Sequence, residues 1–139
     1  MSRFLLDTNV ISEVTKQRPA PQVIAFLEEH QDLWLPTIVL HELKFGLLLL
    51  PTGQRQDRLR ATLSAFIDAY ADRILPLDSA AAEWAARFRI HARRFGITLD
   101  FGDALIAGTA KANDLAIATR NTKDFDYLDI EVVNPWEYA

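Results

Sequence analysis

The sequence predicts an α/β domain with a parallel-stranded central sheet of about five strands flanked by helices. Short apolar runs recur at 4–6, 33–35, 74–75, 115–118 and 130–133. Stretches with apolar residues at helical spacing separate them, and proline, glycine and aspartate mark the joins. Strands that alternate with helices call for parallel crossovers.

Taken in order, Phe4-Leu5-Leu6 runs into Asp7-Thr8-Asn9, and residues 10–16 continue as a short helix broken by Gln17-Arg18-Pro19-Ala20-Pro21. Proline is tolerated in a first helical turn, so Pro19 or Pro21 starts the next helix, 22–30. It places Val23, Phe26 and Leu27 on one face and Glu28 and Glu29 toward solvent. Leu33-Trp34-Leu35-Pro36 reads as the second strand, and Thr37 as the N-cap of a helix through Val39, Leu40, Leu43 and Leu47. Neighbours on a helix lie about 100° apart. The run Leu47-Leu48-Leu49-Leu50 therefore cannot all face one core, and part of it should meet another helix or another subunit.

After the break Pro51-Thr52-Gly53, residues 54–72 form a long helix with Leu59, Leu63, Phe66, Ile67 and Tyr70 on its apolar side. Arg73-Ile74-Leu75-Pro76-Leu77 is the third strand. Asp78 or Ser79 caps a helix over 80–95 that Gly96 ends. Residues 98–101 link to a helix opened by Gly102-Asp103, whose small residues suit close packing against a sheet. The fourth strand is 115–119, followed by a polar loop over 121–127 and a last strand over 130–133. No repeat or linker divides the chain, so 1–139 reads as a single domain.

Half of the 139 residues are hydrophobic and none is cysteine. That excludes a disulfide framework, a thiolate nucleophile and a cysteine-held metal, and it fits a cytoplasmic, reducing setting. The apolar run before Asp7 is too short for a signal peptide, and no stretch is long enough to span a bilayer. A net charge of −4 speaks against coating nucleic acid non-specifically. It leaves open an enzyme that meets phosphates through bound cations.

Acids recur at comparable places. Asp7 follows the first strand, Glu42 lies on the helix after the second, Asp103 opens the small-residue helix, and Asn121 and Asp124 follow the fourth strand. Ligands of open parallel sheets bind beyond the carboxyl ends of the strands. Each residue also has a plain structural reading. Asp7 caps a helix, Glu42 is solvated, Asp103 is a first-turn acid, Asp124 is a loop acid and Asn121 a turn former. Glu42, however, lies among Val39, Leu40, Leu43 and Leu47. Two carboxylates about 4 Å apart repel by roughly 4 kcal/mol at an effective dielectric of 20. Such a cluster takes up protons or binds a hard cation such as Mg²⁺ or Mn²⁺. Carboxylate-held divalent ions are one way to cleave phosphodiesters, and Thr119 is placed to orient a water there; its structural reading is a β-branched strand end.

Other motifs fail. His41-Glu42 starts like a zinc-protease helix, but position 45 is Phe. No Gly-rich phosphate loop follows the first strand, and no serine sits in a nucleophile elbow. Arg87, Arg89, Arg93 and Arg94 make the most basic segment, read first as a solvated helix face and second as a guide for a nucleic-acid backbone.

Leu5-Leu6-Asp7-Thr8-Asn9-Val10-Ile11-Ser12-Glu13, His41-Glu42-Leu43-Lys44-Phe45-Gly46, Asp103-Ala104-Leu105-Ile106-Ala107-Gly108-Thr109-Ala110 and Ala118-Thr119-Arg120-Asn121-Thr122-Lys123-Asp124-Phe125 occur in this order, with Asn134-Pro135-Trp136 near the end. Together they resemble PIN-domain proteins, most closely the VapC/FitB type of toxin–antitoxin ribonuclease. The resemblance implies a PIN fold with Asp7, Glu42 and Asp103 as core metal ligands. It implies an endoribonuclease dependent on Mg²⁺ or Mn²⁺, cleaving RNA through a metal-activated water and neutralised by a cognate antitoxin. It also implies a homodimer, with the leucine-rich helix in subunit and antitoxin contacts, and possible higher toxin–antitoxin assembly. The family often has a fourth acid after the fourth strand. Here Asn121 stands nearest and the carboxylate comes later, so Asp124 is read as the charge and Asn121 as a polar accessory. The alternatives are a catalytically weak PIN-fold protein that binds nucleic acid, or a nuclease directed at DNA.

Overall fold

A computed structural model of the chain describes residues 2–139. Its five strands are β1 (Phe4–Leu6), β2 (Leu33–Pro36), β3 (Ile74–Leu75), β4 (Ala116–Ala118) and β5 (Val132–Val133). All pair in parallel, in the order β3-β2-β1-β4-β5. β1 is the centre, with Leu5 opposite Trp34 of β2 on one side and Ile117 of β4 on the other. Its three residues are buried, as are those of β4. That is the signature of a sheet covered on both faces, and it explains why these strands read as apolar runs rather than alternating ones.

The covering helices are α1 (Thr8–Val14), α2 (Pro21–Glu29), α3 (Thr37–Leu49), α4 (Gln54–Ala69), α5 (Ser79–Arg94) and α6 (Phe101–Ala112). Pro21 opens α2, as a first-turn proline should. Asp78 caps α5 by accepting from the Ala81 N–H, and Gly96, at φ +73°, follows its end. The chain leaves β1 for β2 and β3 in one direction and returns through α5 and α6 to β4 and β5 on the other side. The carboxyl ends of β1 and β4 therefore flank the point where strand order reverses, where open α/β sheets bind ligands.

Several local expectations need correction. Thr37 is not an N-cap: α3 follows β2 without an intervening residue, Pro36 takes the cap position, and the Thr37 hydroxyl donates instead to the Leu75 carbonyl. α4 stops at Ala69, and the residues expected to extend it form a 3-10 turn, Ala71–Arg73, that feeds β3. α6 begins at Phe101 rather than at Gly102, because Asp100 supplies the cap by accepting from the Asp103 N–H. The polar loop after β4 contains a 3-10 turn, Thr122–Asp124. Of the four leucines, Leu47 is buried, whereas Leu48 and Leu49 are 58% and 68% exposed beside an exposed Phe45.

Gly108 of α6 is pressed against a helix rather than the sheet. A Cβ on Gly108 would stand 2.3 Å from the Ala81 carbonyl oxygen and 2.8 Å from the Ala85 nitrogen, both on the backbone of α5. Gly108→Ala is therefore expected to destabilise the fold by about 1–3 kcal/mol through overpacking. Gly46 of α3 is the control. Its Cβ would meet nothing within 4 Å, and Gly46→Ala should be neutral or stabilise by up to about 1 kcal/mol. Urea denaturation of both variants decides it; equal midpoints would refute the close contact.

Candidate metal centre

β1 delivers Asp7 beyond the sheet edge, where it is also the N-cap of α1. The capping reading of this residue is therefore correct. Its Oδ1 accepts from the Thr8 N–H at 2.7 Å, the bond that caps the helix. Its Oδ2 accepts from the Thr119 hydroxyl at 2.8 Å and from Asn9 Nδ2 at 3.3 Å. Thr8 uses its own hydroxyl elsewhere, donating to Glu42 Oε1 at 2.7 Å. The successive residues Asp7, Thr8 and Asn9 thereby reach three separate elements: Asp7 caps α1, Thr8 fixes Glu42 on α3, and Asn9 reaches the end of β4.

Thr119 lies just past β4 and is fully buried. Its hydroxyl donates to Asp7 and accepts from Asn9 Nδ2 and the Asn121 N–H, both at 3.1 Å. One donor and two acceptor positions are then occupied. Nothing is left to orient a water, so the role expected for Thr119 gives way to that of fixing Asp7.

Asp103 sits in the first turn of α6, its N–H bonded to Asp100 Oδ2 at 3.2 Å. Between them, a Cβ on Gly102 would stand 3.2 Å from Asp100 Oδ2 and 3.4 Å from Glu42 Oε2, so bare backbone there lets α6 approach the Glu42 carboxylate. Asp100 is the site residue that sequence reasoning missed. The pattern Asp100-Phe101-Gly102-Asp103, an acid three residues before another at a helix start, carried the signal.

A hollow of about 410 Å³ has Asp7, Glu42, Asp103 and Asn121 in its wall. Asp124 is exposed and stands beside the hollow rather than in the wall, close enough to act on the charge of both Asp7 and Asp103. Burial, above all, pushes the Asp7 carboxyl above its ordinary range, the Thr119 and Thr8 hydrogen bonds draw it back, and Glu42 and Asp124 push it up again. Asp103 is pushed up to about 7, first by burial and then by Asp7, Asp100, Asp124 and Glu42. The Tyr127 hydroxyl, buried without a partner, is raised by burial and by Asp103, Asp124 and Asp126. Among the described residues the acids Asp7, Glu42 and Asp103 form no ion pair. Lys16, also in the wall, pairs instead with Glu13 at 2.9 Å, and Glu13, which also accepts from the Ala20 N–H, is held below its ordinary range.

The donor set is all oxygen and repels itself, which suits a hard divalent cation. Among the described residues, no three acidic or imidazole side chains already stand close enough to enclose an ion. The residues thus fit an ion that takes one or two carboxylates directly and retains waters, the habit of magnesium, rather than one held in a closed protein cage. Arg87, Arg89, Arg93 and Arg94 do not line the hollow. Arg87 pairs with Glu83, and Arg89 lies over Phe101.

The chain belongs to the PIN-domain family, whose model matches residues 4–131. It is 38% identical over 136 residues to toxin FitB of Neisseria gonorrhoeae, covering 96% of this chain and 98% of that protein. It is 37% identical over 142 residues to VapC ribonuclease Y4jK of Sinorhizobium fredii, covering 98% and 99%. Among solved structures it matches FitAB bound to an IR36 DNA fragment, with a TM-score of 0.90, 35% identity and 98% and 97% coverage.

Proposed function

We propose that this PIN-domain chain is a divalent-metal-dependent endoribonuclease acting in the cytoplasm as the toxin of a toxin–antitoxin pair. The observation that carries the chemistry is the meeting of Asp7, Glu42 and Asp103 at one hollow at the strand-order reversal, with Asp103 pushed up to about 7. A group raised so far in a cleft is a candidate for function on physical grounds. Asp7, Glu42 and Asp103 would hold Mg²⁺ or Mn²⁺, with Asp124 adding charge and Asn121 a polar edge. The bound cation supplies charge neutralisation at a phosphate and acidifies water. The protein's part is placement. Thr119 and Asn9 fix Asp7, Thr8 fixes Glu42, and Asp100 fixes the start of α6 under Asp103. A cation held there would favour Asp103 as its carboxylate.

Relatives named ribonuclease and toxin support RNA as the substrate, and the FitAB match supports a protein partner. A second hollow of about 910 Å³ fits that partner, with Leu43, Leu47, Leu59 and Leu63 in its floor and Arg55 and Arg58 in its lining. It opens onto Thr8 and Glu42, so a segment lying there would reach the acids. Exposed Phe45, Leu48 and Leu49 suit contact with a second copy of the chain. Among the described residues no helix is long and apolar enough to cross a membrane.

Purified protein should cleave single-stranded RNA with Mn²⁺. EDTA should stop it, and Asp7→Asn should lower kcat/KM by about 10³-fold or more. Cleavage that survives the chelator or the substitution refutes the proposal.

A further inference from the structure

Arg120 is the feature the metal centre does not use. It follows Thr119 directly, and its backbone N–H donates to Asn9 Oδ1 at 3.1 Å. The same Asn9 gives its Nδ2 to Asp7 and Thr119. One side chain thus ties the first carboxylate and the backbone of Arg120 into one unit. The Arg120 Cζ lies 5.1 Å from the centroid of the Trp136 ring. Trp136 is half-buried and packs on the core, so the indole is a fixed support rather than a mobile one. Both residues line the acid-bearing hollow.

Among the described residues the guanidinium makes no ion pair or hydrogen bond, although its charge helps to hold Glu13 low and Asp7, Glu42 and Asp103 line the same hollow. An arginine so placed, supported on one aromatic face and with its donors unspent, matches the fork geometry that phosphate oxygens accept. Lys16 is the other cation in the wall, and Glu13 already neutralises it.

We infer that Arg120, supported by Trp136, is the seat for a backbone phosphate of single-stranded RNA next to the one being cleaved. Asn9 sets its distance from the carboxylates. The seat binds substrate and takes no part in bond breaking, so it acts on KM and on salt dependence rather than on kcat. This rests on the ribonuclease reading above, and two arms keep the two apart.

In the first arm, a short fluorescein-labelled RNA is cleaved with Mn²⁺ at several salt concentrations. Arg120→Ala should raise KM about tenfold and change kcat less than twofold. It should also flatten the slope of log(kcat/KM) against log salt by about 0.7, the value for one phosphate contact on a single strand. Arg120→Lys should keep most of the slope. Trp136→Phe should bind more tightly than Trp136→Leu, with thermal midpoints checked so that folding is not mistaken for binding. In the second arm, the same RNA is titrated by anisotropy into cleavage-deficient Asp7→Asn, and into the double variant that adds Arg120→Ala. Affinity should fall about tenfold between the two. If the wild type does not cleave, the ribonuclease reading fails while the second arm still judges the seat. Unchanged KM and salt slope, a loss confined to kcat, or RNA binding that is absent or indifferent to Arg120→Ala overturns the inference.

Discussion

Asp103→Asn is expected to make the metal-free protein more stable while removing its RNA cleavage. The two effects have one cause. Asp103 is raised to about 7 by burial and by the facing Asp7, Asp100, Asp124 and Glu42. At neutral pH its charge therefore opposes folding. Asparagine keeps nearly the same shape without that charge. The side chain is half-exposed and water screens it, so relief of about 1–2 kcal/mol is reasonable, which in a chain of this size raises Tm by about 3–8 °C. A cation ligand is lost at the same time, and with it the reason for the cluster. Cleavage should drop by about 10³-fold or more, the scale of removing a group that stabilises transition-state charge. Thermal unfolding in EDTA and cleavage with Mn²⁺ check the two halves. A variant that is both less stable and inactive would make Asp103 a structural residue.

The sequence reveals the fold and the acids for different physical reasons. β1 and β4 are legible because burial on both faces leaves apolar runs with no alternation. Asp7 is legible because a carboxylate ending such a run costs free energy unless something uses it, Glu42 because it stands among apolar helix residues, and Asp103 through the motif stretch it opens. Partnerships across the chain are not legible from local pattern. Thr119 as the donor to Asp7 depends on a contact 112 residues away, and only the pairing of β1 with β4 creates it. The same holds for Thr8 with Glu42, and for Arg120 with Asn9. Small residues in α6 signal close packing but not the partner, which for Gly108 proves to be α5. The start of α6 is hard to read because Phe101, large and exposed, looks like loop, whereas the cap at Asp100 starts the helix one residue earlier than glycine suggests.

The protonation of Asp103 also predicts opposite pH trends for stability and for metal binding. Unfolded, this carboxyl titrates near 3.8, and folded near 7. Between those values the folded state holds a proton that the unfolded state has released. Metal-free stability must therefore fall as pH rises from about 4 to about 7, and level off above. Glu13 and Asp32, both held low by their partners, contribute the reverse slope, but theirs lies below their ordinary values of 4.5 and 3.8. Asp7, also raised by burial, adds to the falling slope, and from pH 5 upward it and Asp103 set the sign. A cation needs the carboxylate, so the apparent Mn²⁺ affinity should climb toward pH 7 by up to about tenfold per unit, then flatten. Titrations at pH 5.0 and 7.0 should differ by about 30- to 100-fold. Thermal midpoints should fall with pH in EDTA, whereas the increment added by Mn²⁺ should grow over the same range. Asp103→Asn should flatten the EDTA curve. Were its slope to match the wild type, the proton would belong to another group, and the cluster would lose its claim to exchange a proton for a metal.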